Sequence, residues 1–159
     1  MGRSGRAGRK RGAMEVPRHD RVELLRSVWL FETCTRLELN QLVTLTAVRE
    51  VGAGQHLSRK GDPPREFMVL VEGKAEVVRH GEALASLGPG DFVGEMSLLD
   101  RTERVATVTA LEPTRLLVMT GASFDLLLRD QPSFARNLLV VVSRRLRHVL
   151  ETRFPTRNA

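Results

Sequence analysis

At 159 residues, 42% hydrophobic and 28% charged, the chain reads as one domain with short tails, long enough to bury a core without a disulfide or a metal. The formal charge of +6 is unevenly placed: Arg3, Arg6, Arg9, Lys10 and Arg11 all precede the first acid, Glu15, and the rest is close to neutral. The basicity is therefore a property of a tail and weak support for a nucleic-acid face.

Residues 1–13 are mostly Gly, Arg and Ser with little to bury, so a disordered basic tail is expected over 1–18. No apolar run follows these charges, which excludes a signal peptide. The longest unbroken apolar stretch near the C-terminus, Leu138–Val142, falls far short of a membrane span. Cys34 is the sole cysteine, so there is no internal disulfide and no cysteine metal cluster, and a reducing cytoplasm is the expected setting.

The helical period comes first. Residues 20–31 read as a helix with Asp20 as N-cap and Val22, Leu25, Val28 and Trp29 on its apolar face. Thr35 caps a second helix, with Glu38 in capping-box position and Leu37, Leu42 and Leu45 facing inward. From residue 47 the segments turn short, β-branched and alternating. Strands are expected at 47–51, 55–59, 67–72, 75–80, 83–87, 91–93, 105–110 and 114–120, separated by turns rich in Gly, Pro and Asp. A short helix at 122–130 and a long one from Pro132 to about Thr152 close the domain. The fold class is thus mainly β with flanking helices: an eight-stranded β jelly roll (double-stranded β-helix) with N-terminal helices and a long C-terminal helix.

Chemistry concentrates in Phe92-Val93-Gly94-Glu95-Met96-Ser97-Leu98-Leu99 and, just after it, Arg104-Val105-Ala106-Thr107-Val108. Gly94-Glu95-Met96 reads as a tight turn opening a short helix, whose first N–H groups have no partner inside it and suit an anion. Arg104 adds a planar, permanently charged fork able to hold two phosphate oxygens. Glu95 suits a sugar hydroxyl better than a phosphate. Phosphate and ribose together spell a nucleotide.

These residues carry a resemblance. Gly-Glu-Met-Ser-Leu-Leu, then Arg-x-Ala-Thr-Val ten residues after the glycine, resembles the phosphate-binding cassette of cyclic nucleotide-binding domains. Such domains are the sensors of cAMP-receptor transcription factors, cyclic-nucleotide-dependent kinases and gated channels. The flanks Val71–Val77 and Leu87–Phe92 match too, and the likeness covers roughly 22–150. It implies a cyclic nucleotide-binding domain over 19–152, a cassette at 92–108 and a C-terminal tail at 153–159.

The resemblance places the phosphate at Arg104 and at the backbone amides of Met96, Ser97, Val105 and Ala106. It places the ribose at Glu95 and Gly94, and the base against Val77, Leu84, Val149 and Leu150. A plain reading of the same residues makes Arg104 a surface arginine pairing with Glu103, Glu95 a helix-capping carboxylate, and Val77 and Leu84 ordinary core. Met96, Leu98 and Leu99 are expected to anchor the cassette helix in the core. Relatives that prefer cGMP often carry threonine after the arginine; Val105 cannot donate that bond, so cAMP is expected over cGMP. The hydroxyl residues that cap adenine in the transcription factors are replaced by Val149 and Leu150, leaving packing and Thr152 to close the base site.

Leu139, Val142, Leu146 and Val149 follow coiled-coil spacing, flanked by Arg144, Arg145 and Arg147. The stripe serves either a homodimer or packing on the chain's own roll. Only Arg153 and Phe154–Ala159 follow, too few for a recognition helix. The expected function is a non-enzymatic cyclic nucleotide sensor, without a cofactor or metal, signalling through its C-terminal helix to an unknown effector or a second copy. Alternatives are a fragment or relative of a transcription regulator with DNA affinity from its basic tails, and a ligand-free interaction module. A jelly-roll metalloenzyme needs closely set histidines, whereas His19, His56, His80 and His148 are scattered.

Overall fold

The computed structural model describes residues 16–153. Of the expected tails at 1–18 and 153–159, residues 1–15 and 154–159 lie outside the described residues. Helix α1 (Arg18–Ser27) leads through a 3-10 turn (Trp29–Phe31) to α2 (Arg36–Leu45). The strands are β1 (Thr46–Val51), β2 (His56–Ser58), β3 (Glu66–Glu72), β4 (Ala75–Arg79), β5 (Glu82–Leu87) and β6 (Phe92–Val93). Helix α3 (Glu95–Asp100) interrupts them before β7 (Thr107–Ala110) and β8 (Thr114–Thr120). Helices α4 (Gly121–Asp130) and α5 (Pro132–Arg153) follow.

Two antiparallel four-stranded sheets, ordered β1-β8-β3-β6 and β2-β7-β4-β5, face each other as the two layers of the jelly roll. The central strands β3 and β8 are paired from Glu66↔Thr120 to Glu72↔Arg115. Both are buried on both faces, and their side chains alternate between two cores. Met68 and Leu70, with Leu116 and Val118, point between the sheets toward Ala75 and Val108. Phe67 and Val69, with Leu117 and Met119, point outward to a second core shared with the helices. Phe67, Phe124, Phe134 and Phe31 form a chain of rings there, with centroids 5.0, 5.8 and 5.7 Å apart along it. That chain ties α4, the root of α5 and the 3-10 turn to β3.

Three expectations change. The first helix ends at Ser27, because Val28 takes an extended backbone (φ −88, ψ 123) and the chain restarts as the 3-10 turn. It also starts at Arg18, with Pro17 rather than Asp20 at the N-cap. In α2 the capping box of Thr35 and Glu38 forms, but Leu37 lies 70% exposed and Leu39 and Val43 complete the buried face instead.

On α5 only Phe134 and Leu138 are buried, Val141 is the last residue packed against the helix-side core, and residues 143–153 are exposed apart from the contacts of their arginines. Of the stripe, Leu139, Leu146 and Val149 are exposed and Val142 is half-buried, so most of it does not pack on the chain's own β-roll. Half-buried Cys34 sits beside Gln131, its Sγ 3.9 Å from Oε1. Burial, reinforced by the Glu38 charge, pushes this thiol up to about 11. Among the described residues no helix is long and apolar enough to cross a membrane.

Candidate nucleotide site

The chain leaves β6 through Gly94, whose backbone is left-handed (φ 102, ψ −6), and enters α3 directly. That conformation favours glycine, and a second constraint acts at the same atom. A Cβ at Gly94 would stand 2.5 Å from Arg104 Nη1 and 2.5 Å from the Glu66 carbonyl oxygen. The close approach that this glycine permits is therefore that of the Arg104 guanidinium.

Arg104 is 7% exposed. Its Nη1 donates to Ser97 Oγ at 2.7 Å and its Nη2 donates to the Glu66 carbonyl. Its backbone is pinned to the turn before β3, with its N–H on Asp62 O at 2.9 Å and its carbonyl accepting from Gly61 N at 2.8 Å. Glu66 is held in turn by a two-pronged pair with Arg49, at 2.8 and 2.7 Å. None of the ion pairs among the described residues includes Arg104, and the surface pairing with Glu103 does not form. Burial lowers the guanidinium from its usual value, while the more distant charges of Glu95, Glu66 and Asp62 pull the other way. An arginine does not give up its proton under these conditions, so a buried positive charge stands here without a directly paired carboxylate.

Glu95, the first residue of α3, is 3% exposed. Burial raises its carboxyl above the ordinary range, opposed by Arg145, its own backbone N–H and Arg104. Arg145 reaches down from α5 to pair with Glu95 through Oε1, and its guanidinium lies 4.7 Å above the Phe92 ring. Sequence reasoning placed Arg145 only as a flank of the coiled-coil stripe. Its signal was its phase: Phe134, Leu138, Val141 and Arg145 recur at helical spacing, so Arg145 continues the inward face past the point where apolar residues stop.

The structure gathers Gly94, Glu95, Ser97 and Arg104 into one cluster. Met96, Val105 and Ala106 adjoin these residues in sequence, Met96 and Val105 exposed and Ala106 buried, and among the described residues no backbone acceptor is paired with the N–H of Met96, Ser97, Val105 or Ala106. Met96 and Leu99 are 54% and 48% exposed, so Leu98 alone anchors α3 in the core. Geometry explains this: a helix under two turns long, lying on the roll, has one inward face. Val77 packs at the edge of the inter-sheet core and Leu84 is exposed on β5. Val149 and Leu150 are about half exposed and belong to neither core. Thr152 turns its hydroxyl back to its own helix, donating to His148 O at 2.9 Å, rather than toward a base. Among the described residues no cluster of His, Cys, Asp and Glu is placed to hold a metal ion.

A buried arginine and a buried glutamate on one glycine turn, in a jelly roll closed by a long helix, narrow the family. The family model of the cyclic nucleotide-binding domain matches residues 48–131. The chain belongs to the cyclic nucleotide-binding domain family. It is 34% identical over 119 residues to a putative potassium channel protein of Rhodopseudomonas palustris, covering 73% of this chain and 29% of that one. It is 37% identical over 99 residues to the cyclic AMP receptor protein of Thermus thermophilus, covering 59% and 46%. The crystal structure of the Thermus thermophilus catabolite activator protein superposes with a TM-score of 0.69 at 33% identity, over 76% of this chain and 59% of that one. The chain thus spans between 29% and 59% of the length of these relatives, and it shares with them the cyclic nucleotide-binding domain.

Proposed function

We propose that this cyclic nucleotide-binding domain is a non-enzymatic cAMP sensor whose α5 helix carries the signal. The observation that supports it most is the buried Arg104 guanidinium, which among the described residues has no carboxylate paired to it, in a cassette whose amides have no backbone acceptor paired to them among those residues. A phosphodiester supplies the missing negative charge, and the amides of Met96, Ser97, Val105 and Ala106 complete its cradle. Gly94 opens the turn. Glu95, held through one oxygen by Arg145, keeps the other for a ribose 2′-hydroxyl. Val77 and Leu84 face the base, with the outer part of α5 (Val149, Leu150) as its cover once the helix closes. Val105 offers no hydroxyl to a guanine amino group, which favours cAMP over cGMP.

The Arg145–Glu95 pair makes the route from site to output short: what happens to the carboxylate is felt on α5. A helix that adopts two positions responds to ligand to the extent that ligand binds one of them better. The exposed Leu139, Leu146 and Val149 then offer themselves to a second copy or to an effector protein. A lone thiol without a disulfide partner suits the cytoplasm.

Calorimetric titration with cAMP and cGMP tests the reading. The expected result is cAMP binding at micromolar level or tighter, weaker cGMP binding, and loss of both in Arg104→Ala. A folded wild-type chain that binds neither nucleotide overturns it.

A further inference from the structure

The cassette contains one polar group that neither the backbone cradle nor the ribose carboxylate uses. Ser97 is 3% exposed, on the first turn of α3, and its Oγ lies 2.7 Å from Arg104 Nη1. A hydroxyl has one proton and two lone pairs. Arg104 occupies a lone pair, and among the described residues the Ser97 proton is paired with no acceptor. Leaving such a proton buried without an acceptor is unfavourable, and donation from a cation polarises the hydroxyl into a better donor. Meanwhile the Glu66 carbonyl takes Nη2. Two acceptors on two elements, α3 and β3, thus grip both ends of one planar group.

We propose that the Ser97 side chain is a positioning residue for Arg104 and a phosphate donor in its own right. It accepts from Nη1, which fixes the rotation of the guanidinium, and turns its proton to a phosphodiester oxygen beside the Arg104 fork. Cassette and arginine are then selected together: a residue without a hydroxyl at 97 leaves Nη1 unheld, and the amide cradle alone does not replace it. The phosphate half of this inference rests on the sensor reading above; the positioning half does not.

The test uses the whole chain as wild type, Ser97→Ala and Ser97→Thr, with two measurements. The first needs no ligand. In the 15N-labelled chain the Arg104 Nη nitrogens should give separate resonances in wild type and in Ser97→Thr, and an averaged one in Ser97→Ala. The second is calorimetry with cAMP, where Ser97→Ala should weaken binding about tenfold, as expected for a hydrogen bond to a charged group, and Ser97→Thr should restore most of it. Separate Nη resonances in Ser97→Ala overturn the positioning role. Averaged resonances with unchanged affinity overturn the phosphate role. A wild type that binds no cAMP defeats the sensor reading, and the resonances still decide whether Ser97 positions Arg104.

Discussion

Glu95 and Arg104 show how burial turns ordinary side chains into selective ones. Each charge sits where water is scarce, which disfavours it; Arg145 offsets part of that for Glu95, while Arg104 has no carboxylate paired to it among the described residues. For Glu95 the sign is specific. Its folded pKa is raised above the unfolded value, so the native state holds the proton over a range where the unfolded chain has lost it. Ionisation of this group therefore costs stability as pH rises through that range, and acid restores it. Under the proposed sensor reading binding runs the other way, since a ribose acceptor and the Arg145 pair both need the carboxylate. Affinity for cAMP is expected to fall on acidification at a pH above the ordinary glutamate value of about 4.3. Glu95→Gln should bind more weakly at neutral pH and with a flat profile. Calorimetry across the acidic range at constant ionic strength measures it, and an equally steep profile in Glu95→Gln would assign the effect to another group.

Among the elements, α5 joins the parts of the domain. Its root is locked by Phe134 and Leu138, whereas its middle is held by two neighbouring arginines facing different ways. Arg145 meets Phe92 and Glu95, and Arg144 lies 5.3 Å over the Trp29 ring. The Arg144 contact with the exposed Trp29 ring is worth about 0.5–1 kcal/mol, so it yields far more cheaply than the buried Arg145–Glu95 pair. Trp29 is the only tryptophan in the chain and reports this directly. Saturating cAMP is expected to change Trp29 emission in wild type, and Arg144→Ala should abolish most of that change without abolishing binding. The same helix marks how far sequence reading reaches. Gly94, Glu95 and Arg104 lie within eleven residues, and local turn chemistry was enough to group them. The pair between Glu95 and Arg145 spans fifty residues and depends on the angle at which α5 leaves the aromatic cluster, which no local pattern encodes. Strands were legible for a related reason, because alternation has a period of two and Gly-rich turns punctuate it. The break at Val28 was not, because apolar spacing continues smoothly through it into Trp29.

On the scale of the whole molecule, buried and offered surfaces divide cleanly. The two cores absorb β3, β8 and the helix roots, while Leu139 and Leu146 remain 68% and 59% exposed on one helix. If the stripe is the seam of a dimer, its disruption should be silent within the domain. Leu146→Asp is expected to leave the circular-dichroism spectrum of the folded domain unchanged and to abolish self-association, measured by light scattering over a concentration series. A wild type that stays monomeric throughout assigns the stripe to a different protein.

Cys34 adds a practical consequence. With burial pushing its thiol up to about 11, Cys34 is held in the unreactive thiol form at neutral pH. Alkylating probes and mild oxidants should pass it by. A cysteine introduced at an exposed position near the end of α5 would then be the one that reacts, giving a singly labelled chain for following helix motion with the native residue left in place.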